Sequence, residues 1–186
     1  MKASLCAIVV DASIAQAAGK SEHPTSQHCR AFLEAIHKHK KCVCVFTPEL
    51  NAEWKHHASR LSVTWKSRMI AKKRWLFVAR GEEIPFGEAL IQCAENLAGP
   101  DQNGLQKKII SALNKDTHLV GAAASHGKRV ASLDEVVRGY LRACAAKDAN
   151  LSEIVWVNPN IPDEQACEWV AAGAPLEMVR TLGFAP

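Results

Sequence analysis

The sequence has no apolar run approaching the ~18 residues needed to cross a bilayer. It has no Cys-x-x-Cys pair and no cysteine–histidine spacing of the zinc-site kind. Nor is it enriched in proline, serine or glutamine, as chains that stay unfolded are. These absences exclude a membrane-spanning helix, a small zinc module and a disordered linker. The seven cysteines, at 6, 29, 42, 44, 93, 144 and 167, are odd in number. They fit a reducing cytoplasm better than a disulfide framework. Cys42 and Cys44 flank one residue of a strand-like run and are expected to share a face and pack as small hydrophobes. Lys2, the apolar residues Ala3 to Val10 and the triplet Ala15-Gln16-Ala17 imitate a secretory leader. The run is short, is interrupted by Ser4 and stops at Asp11, so it is read as a strand and the protein as cytoplasmic.

Acid is also missing locally. Between Trp54 and Gly81 stand Lys55, Arg60, Lys66, Arg68, Lys72, Lys73, Arg74 and Arg80 with no Asp or Glu. The net charge is +4, yet the rest of the chain holds fifteen basic residues against nineteen acidic ones. One basic stretch on a mildly acidic body suits phosphate or an acidic partner, and otherwise is a solvated helix face.

At 186 residues the chain can bury one good core, whereas two halves would each be marginal. A single domain over 1–186 is expected, with its core at about 1–157 and a helical tail over 158–186. Short apolar, β-branched runs alternate with helical periodicity. Strands are predicted at Leu5–Val10, Cys42–Phe46, Arg129–Leu133 and Ile154–Val157. A helix over Gln27–Lys40 has Ser26 available as its cap. Thr47-Pro48 starts a long amphipathic helix in which Leu50, Trp54, His57 or Ala58, Leu61 and Trp65 face the core. Phe77–Phe86 gives no clear pattern. Gly87–Leu97 reads as a helix and Gly99-Pro100-Asp101 with Asn103-Gly104 as a loop. A further helix starts at Asn114 or Asp116 and closes at Gly127, Glu135–Ala146 is another, and the tail reads as two short helices broken at Gly173 and Pro175. The pattern predicts a three-layer α/β/α fold with a mainly parallel sheet.

In such folds, sites form beyond the carboxyl ends of the strands. Asp11 directly follows the first strand, Asp134 follows the strand ending at Leu133, Glu53 lies two turns into the helix after the second strand, and Asp116 opens a helix. All four can reach one end of the sheet. Grouped carboxylates repel unless a cation or proton neutralises them, and a hard ion such as Mg²⁺ or Mn²⁺ takes their oxygens readily. That combination points to phosphodiester hydrolysis. Taken singly, Asp116 and Asp134 are also ordinary N-caps, and Glu49 shares the face of Glu53. A charge directly after a buried strand, as at Asp11, needs a partner.

Val10-Asp11-Ala12-Ser13 resembles the opening motif of PIN-domain proteins. Thr47-Pro48-Glu49-Leu50-Asn51-Ala52-Glu53 resembles their second motif and favours Glu53 over Glu49. Asp116 to Ala123 with Gly127, then Val130-Ala131-Ser132-Leu133-Asp134, resembles their third and fourth acidic motifs. The resemblance spans residues 5–157. It implies a PIN-like sheet, a Mg²⁺ or Mn²⁺ site on Asp11, Glu53, Asp116 and Asp134, and nuclease activity, with single-stranded or structured RNA the expected substrate. Ser13 and Ser132 would orient the carboxylates, or else cap helices. The 62 residues from Trp54 to Lys115 and the 52 after Asp134 exceed what the compact, VapC-related toxins of the family carry. An antitoxin partner and an idle, purely binding version of the fold stand as alternatives. Lys55, Arg60 and Arg68 are expected to carry nucleic-acid backbone away from the site, with Trp54 and Trp65 in the core. His118 is expected to turn away from Asp116 as a packing or capping residue. Trp169, Val170, Leu176 and Val179 could supply a homodimer face.

Overall fold

The computed structural model describes residues 6–78, 92–93, 95–97 and 104–184. Five short strands form one all-parallel sheet: β1 (Cys6–Val10), β2 (Cys42–Phe46), β3 (Trp75–Phe77), β4 (Arg129–Ala131) and β5 (Val155–Val157), in the order β3-β2-β1-β4-β5. The strand cores are apolar on both faces because helices cover both. Every residue of β1 and of β5 is buried. On one side α1 (Ala12–Ala17), α2 (Pro24–Lys38), α3 (Pro48–His57) and α4 (Arg60–Ala71) pack on one another. A 21-residue helix, α5 (Leu105–Ser125), runs along β1, β2 and β4 and carries α6 (Glu135–Ala145) and the single-turn α7 (Ala149–Ser152). The result is a three-layer α/β/α fold. No helix among the described residues is long and apolar enough to cross a membrane.

The chain travels outward from β1 to β2 to β3, then returns to lay β4 on the other side of β1, with Val9 opposite Val130 and Val10 opposite Ala131. The order in which strands are added therefore reverses between β1 and β4. Loops leaving two neighbouring strands to opposite sides open a crevice at such a point, and here those loops begin at Asp11 and Ser132.

Several boundaries depart from the sequence reading. The helix α2 starts three residues early, with Pro24 at its first position and the His23 side chain accepting from Thr25 N–H; Ser26 is buried inside it rather than capping it. The long helix expected from Thr47 is two. Thr47 caps α3 by accepting from Leu50 N–H at 3.1 Å, but the helix stops at His57. Ser59 then caps α4, accepting from Ser62 N–H. Its own N–H donates to the Ala15 carbonyl at 3.0 Å and its hydroxyl to the Ala18 carbonyl at 2.7 Å. These tertiary bonds to the end of α1 replace the helical bonds that continuation would have made. One consequence is that Leu61, expected in the core, is exposed, while Trp65 is buried with its indole N–H on the Leu33 carbonyl.

The helix expected to begin at Asn114 or Asp116 begins at Leu105 instead, after Gly104 in the left-handed region (φ 79°). Asp116 is thus interior to a helix, not its cap. The other end is as expected. Gly127 has φ 100°, and a Cβ there would lie 2.8 Å from the Ala7 carbonyl oxygen, so glycine is required both for conformation and for the approach to β1. The helix expected over Gly87–Leu97 and the loop over Gly99–Asn103 fall largely outside the described residues. In the tail, a 3₁₀ turn (Pro162–Glu164), α8 (Ala166–Ala171) and a second 3₁₀ turn (Met178–Arg180) replace two helices, and Thr181 bridges antiparallel to Val155, covering the outer edge of β5. Trp169 and Val170 are buried, α8 packing on α2. They are not available for a dimer face, although Leu176 and Val179 are exposed. Cys93 and Cys144 form a disulfide across a separation of 51 residues, contrary to the expectation of seven reduced thiols. The five remaining cysteines are free.

Arg74 explains part of the basic stretch. It is buried, and its guanidinium donates to the carbonyls of Ile36, His37, His39 and Cys42. It thereby satisfies the open carboxyl end of α2 and its dipole. Arg74→Met is expected to leave these carbonyls unpaired and to cost about 2–4 kcal/mol. Urea unfolding should show a lower midpoint at unchanged slope; an unchanged midpoint would contradict this role.

Candidate active site

Asp11 is the first residue past β1. Its N–H continues the ladder to the Ala131 carbonyl at 2.9 Å, so the backbone holds it beside β4. The carboxylate is buried, and its Oδ2 accepts from the Ser13 hydroxyl at 2.5 Å and the Ser132 hydroxyl at 2.6 Å. The same two hydroxyl oxygens accept from Leu133 N–H and Asp134 N–H, respectively. Ser13 and Ser132 therefore tie Asp11 to the loop that carries Asp134. Oδ1 of Asp11 takes no hydrogen bond from the described residues.

Asp134 is both a cap and a member of the site. Its Oδ1 accepts from Val137 N–H at 2.9 Å, starting α6. Glu53 is placed by its neighbour. Trp54 is buried, and its indole N–H donates to the Val10 carbonyl at 3.0 Å, fixing α3 to the last residue of β1. Edge-to-face contact with Phe46 and stacking on Trp65 hold the indole in place. Asp116 enters from α5, buried.

All four acids line one pocket of about 220 Å³, together with Ser13, Gln16, His57 and Lys115. Two larger clefts, of about 510 and 470 Å³, lie elsewhere and carry no such set of acids. Among the described residues, no three His, Cys, Asp or Glu side chains already converge closely enough to enclose an ion. The carboxylates form walls of a shared pocket, not a closed cage. The electrostatic cost of this is visible at Asp116, whose carboxyl is pushed up to about 7 by burial first and then by the charges of Asp11, Asp134 and Glu53, against a lowering by Lys115. Four carboxylate donors around a polar pocket make a set that suits a hard divalent cation, whose charge would relieve that repulsion.

Three pocket neighbours were missed or misplaced by sequence reasoning. His57, counted as a possible core residue, is exposed and lines the pocket; its position four residues after Glu53 was the available signal. Lys115 escaped notice because Asp116 was read as a helix start. His118 is buried as expected, but α3 packs against α5 and brings Glu53 to it. His118 Nε2 stands 3.8 Å from Glu53 Oε2 and has no hydrogen-bond partner.

The expected phosphate track does not form along one helix, because the chain breaks at Ser59. Lys55 remains on α3 and is exposed; Arg60 is exposed at the start of α4. Arg68 is paired with Glu34 of α2 at 3.0 Å. Lys66 donates to Asn51 Oδ1 and lies 4.9–5.9 Å from the ring centres of Trp75, Phe46 and Trp54, so it fastens α4 to α3.

Comparison of the chain with protein-family models, with curated proteins and with solved structures found no match.

Because folding raises the Asp116 pKa above its ordinary value, the fold favours the protonated form. The resulting penalty is absent below the ordinary value, grows as pH rises toward about 7, and is then constant. Asp116→Asn removes it. In EDTA the variant is expected to melt about 5–10 °C above the wild type at pH 8, with the gap closing toward pH 4. Equal melting temperatures at pH 8 would contradict the crowding of these carboxylates.

Proposed function

We propose that the protein is a divalent-cation-dependent nuclease of the PIN type that hydrolyses phosphodiester bonds, with RNA as substrate. The observation that carries this reading is the meeting of Asp11, Glu53, Asp116 and Asp134, from four separate parts of the chain, in one pocket where the strand order reverses. The order of the motifs around them, which resembles that of PIN-domain proteins, supports the same reading.

Asp11, Asp116 and Asp134 would hold Mg²⁺ or Mn²⁺, with Glu53 as a further ligand or as the base. When bound, such an ion polarises the phosphate, acidifies water and stabilises the leaving oxygen. The remaining work falls to the chain. Ser13 and Ser132 occupy one oxygen of Asp11, which leaves the other for the ion. Glu53, as base, takes the proton of a water attacking in line with the leaving oxygen. Lys115 and His57 at the pocket wall, with Lys55 and Arg60 outside, contact backbone phosphates without reading sequence.

The test is cleavage of end-labelled single-stranded RNA and its DNA counterpart with Mg²⁺, with Mn²⁺ and with EDTA, alongside Asp11→Asn. Cleavage that needs the metal and is lost in the variant is the expected result. Cleavage at the wild-type rate by Asp11→Asn would remove the site assignment, and no cleavage under any metal would leave a nucleic-acid- or protein-binding module. His118→Phe, which keeps the volume but not the nitrogen beside Glu53, is expected to lower kcat about 10–100-fold at unchanged KM and melting temperature. An unchanged kcat would show that His118 only packs.

A further inference from the structure

The opposite ends of the strands carry a second cluster that hydrolysis does not use. Cys6 and Cys42 begin β1 and β2 and are directly opposed in the parallel ladder. At the usual strand spacing their Cα atoms are about 4.8 Å apart, inside the span that a disulfide bridges. Both side chains are buried at the same end of the sheet. Cys42 Sγ also lies 3.2 Å from His39 Nδ1. The geometry is pinned from outside the cluster: the Cys42 N–H donates to the His39 carbonyl, and Arg74 donates to the carbonyls of both residues.

Cys6 and Cys42 are buried, but His39 is only half-buried and lines the cleft of about 470 Å³ between α2 and α8. The Cys42 sulfur is thus one imidazole away from a cleft large enough for small solutes, with Cys6 beside it on the neighbouring strand. The Cys6 thiol is held below its usual range by the Cys42 S–H, and by the guanidinium groups of Arg129 and Arg74, against the opposing effect of burial. The other core thiols behave differently. Cys29 is pushed up to about 12 by burial alone, and burial likewise raises Cys44, which sits opposite Ile8 in the ladder.

We propose that Cys6 and Cys42, with His39 beside them, form a peroxide-reactive dithiol site that closes to a disulfide across β1 and β2. The Cys6 thiolate attacks one oxygen of hydrogen peroxide. A sulfur–oxygen bond forms, the O–O bond breaks, and the leaving hydroxide takes a proton to become water. Cys42 then gives its proton to His39 Nδ1, and its sulfur attacks the Cys6 sulfur. The S–S bond forms as the S–O bond breaks, and the second hydroxide leaves as water with the proton from His39. Two thiols are oxidised, one peroxide is reduced, and two waters are released.

The native full chain would be treated with hydrogen peroxide, its remaining thiols alkylated under denaturing conditions, and the non-reduced digest mapped by mass spectrometry. A peptide linking Cys6 to Cys42 is the expected result, with Cys29 and Cys44 alkylated. In Cys42→Ser, Cys6 should stop at a sulfenic acid that dimedone traps. His39→Gln should slow linkage at least about tenfold without lowering the melting temperature, and it keeps the test decisive if Cys42→Ser does not fold. Recovery of both Cys6 and Cys42 as alkylated thiols, with oxidation confined to the half-exposed Cys167, would overturn the proposal. So would linkage at the same rate in His39→Gln.

Discussion

The site depends on the hold that two serines have on the Asp11 carboxylate. A charged group immediately past a fully buried strand cannot be left unpaired without a cost of several kcal/mol. Here the cost is met by hydroxyls that reach from the start of α1 and the end of β4. Because the same hydroxyl oxygens accept the N–H groups of Leu133 and Asp134, they join the two strands at the point where the strand order reverses. Moving either strand would break the set. The position of Asp134, and with it the start of α6, follows from the pairing of β1 with β4. The Trp54 indole performs the corresponding task for α3, anchoring Glu53 to the last carbonyl of β1.

Rigid placement of like charges is destabilising in itself, and the fold carries that cost at this pocket. Two buried guanidinium groups outside the pocket have partners. Arg138, buried within α6, meets Glu135 and Glu164, and Arg74 closes α2. The pocket acids instead have Lys115 as a nearby compensating charge, and it does not prevent the rise at Asp116. In the proposed reading, a cation would relieve a repulsion that the fold already sustains.

Much of this was legible in the residues, for identifiable reasons. Strands β1 and β2 are short apolar runs with abrupt ends, and Thr47-Pro48 is a local signal that needs no tertiary partner. Asp11 and Asp134 were visible because each ends such a run. What escaped was set by contacts distant in sequence. The break at Ser59 is decided by the carbonyls of Ala15 and Ala18, more than forty residues earlier. The basic stretch looked like one surface because nothing local marks Arg74 as a cap for α2 or Arg68 as a partner of Glu34. The strand β3 has three residues, two of them exposed, and shows no alternation to read. Asp116 reads locally as a helix start, whereas it reaches the pocket from the interior of a helix that begins eleven residues earlier.

The most direct measurement of the central claim is a crystal structure of the protein grown with Mn²⁺, using the anomalous scattering of the ion. A single strong peak bounded by the carboxylates of Asp11, Asp116 and Asp134, and lost in crystals of Asp134→Asn, is the result this account predicts. An empty acidic pocket at millimolar Mn²⁺, or a peak only on surface carboxylates elsewhere, would contradict it.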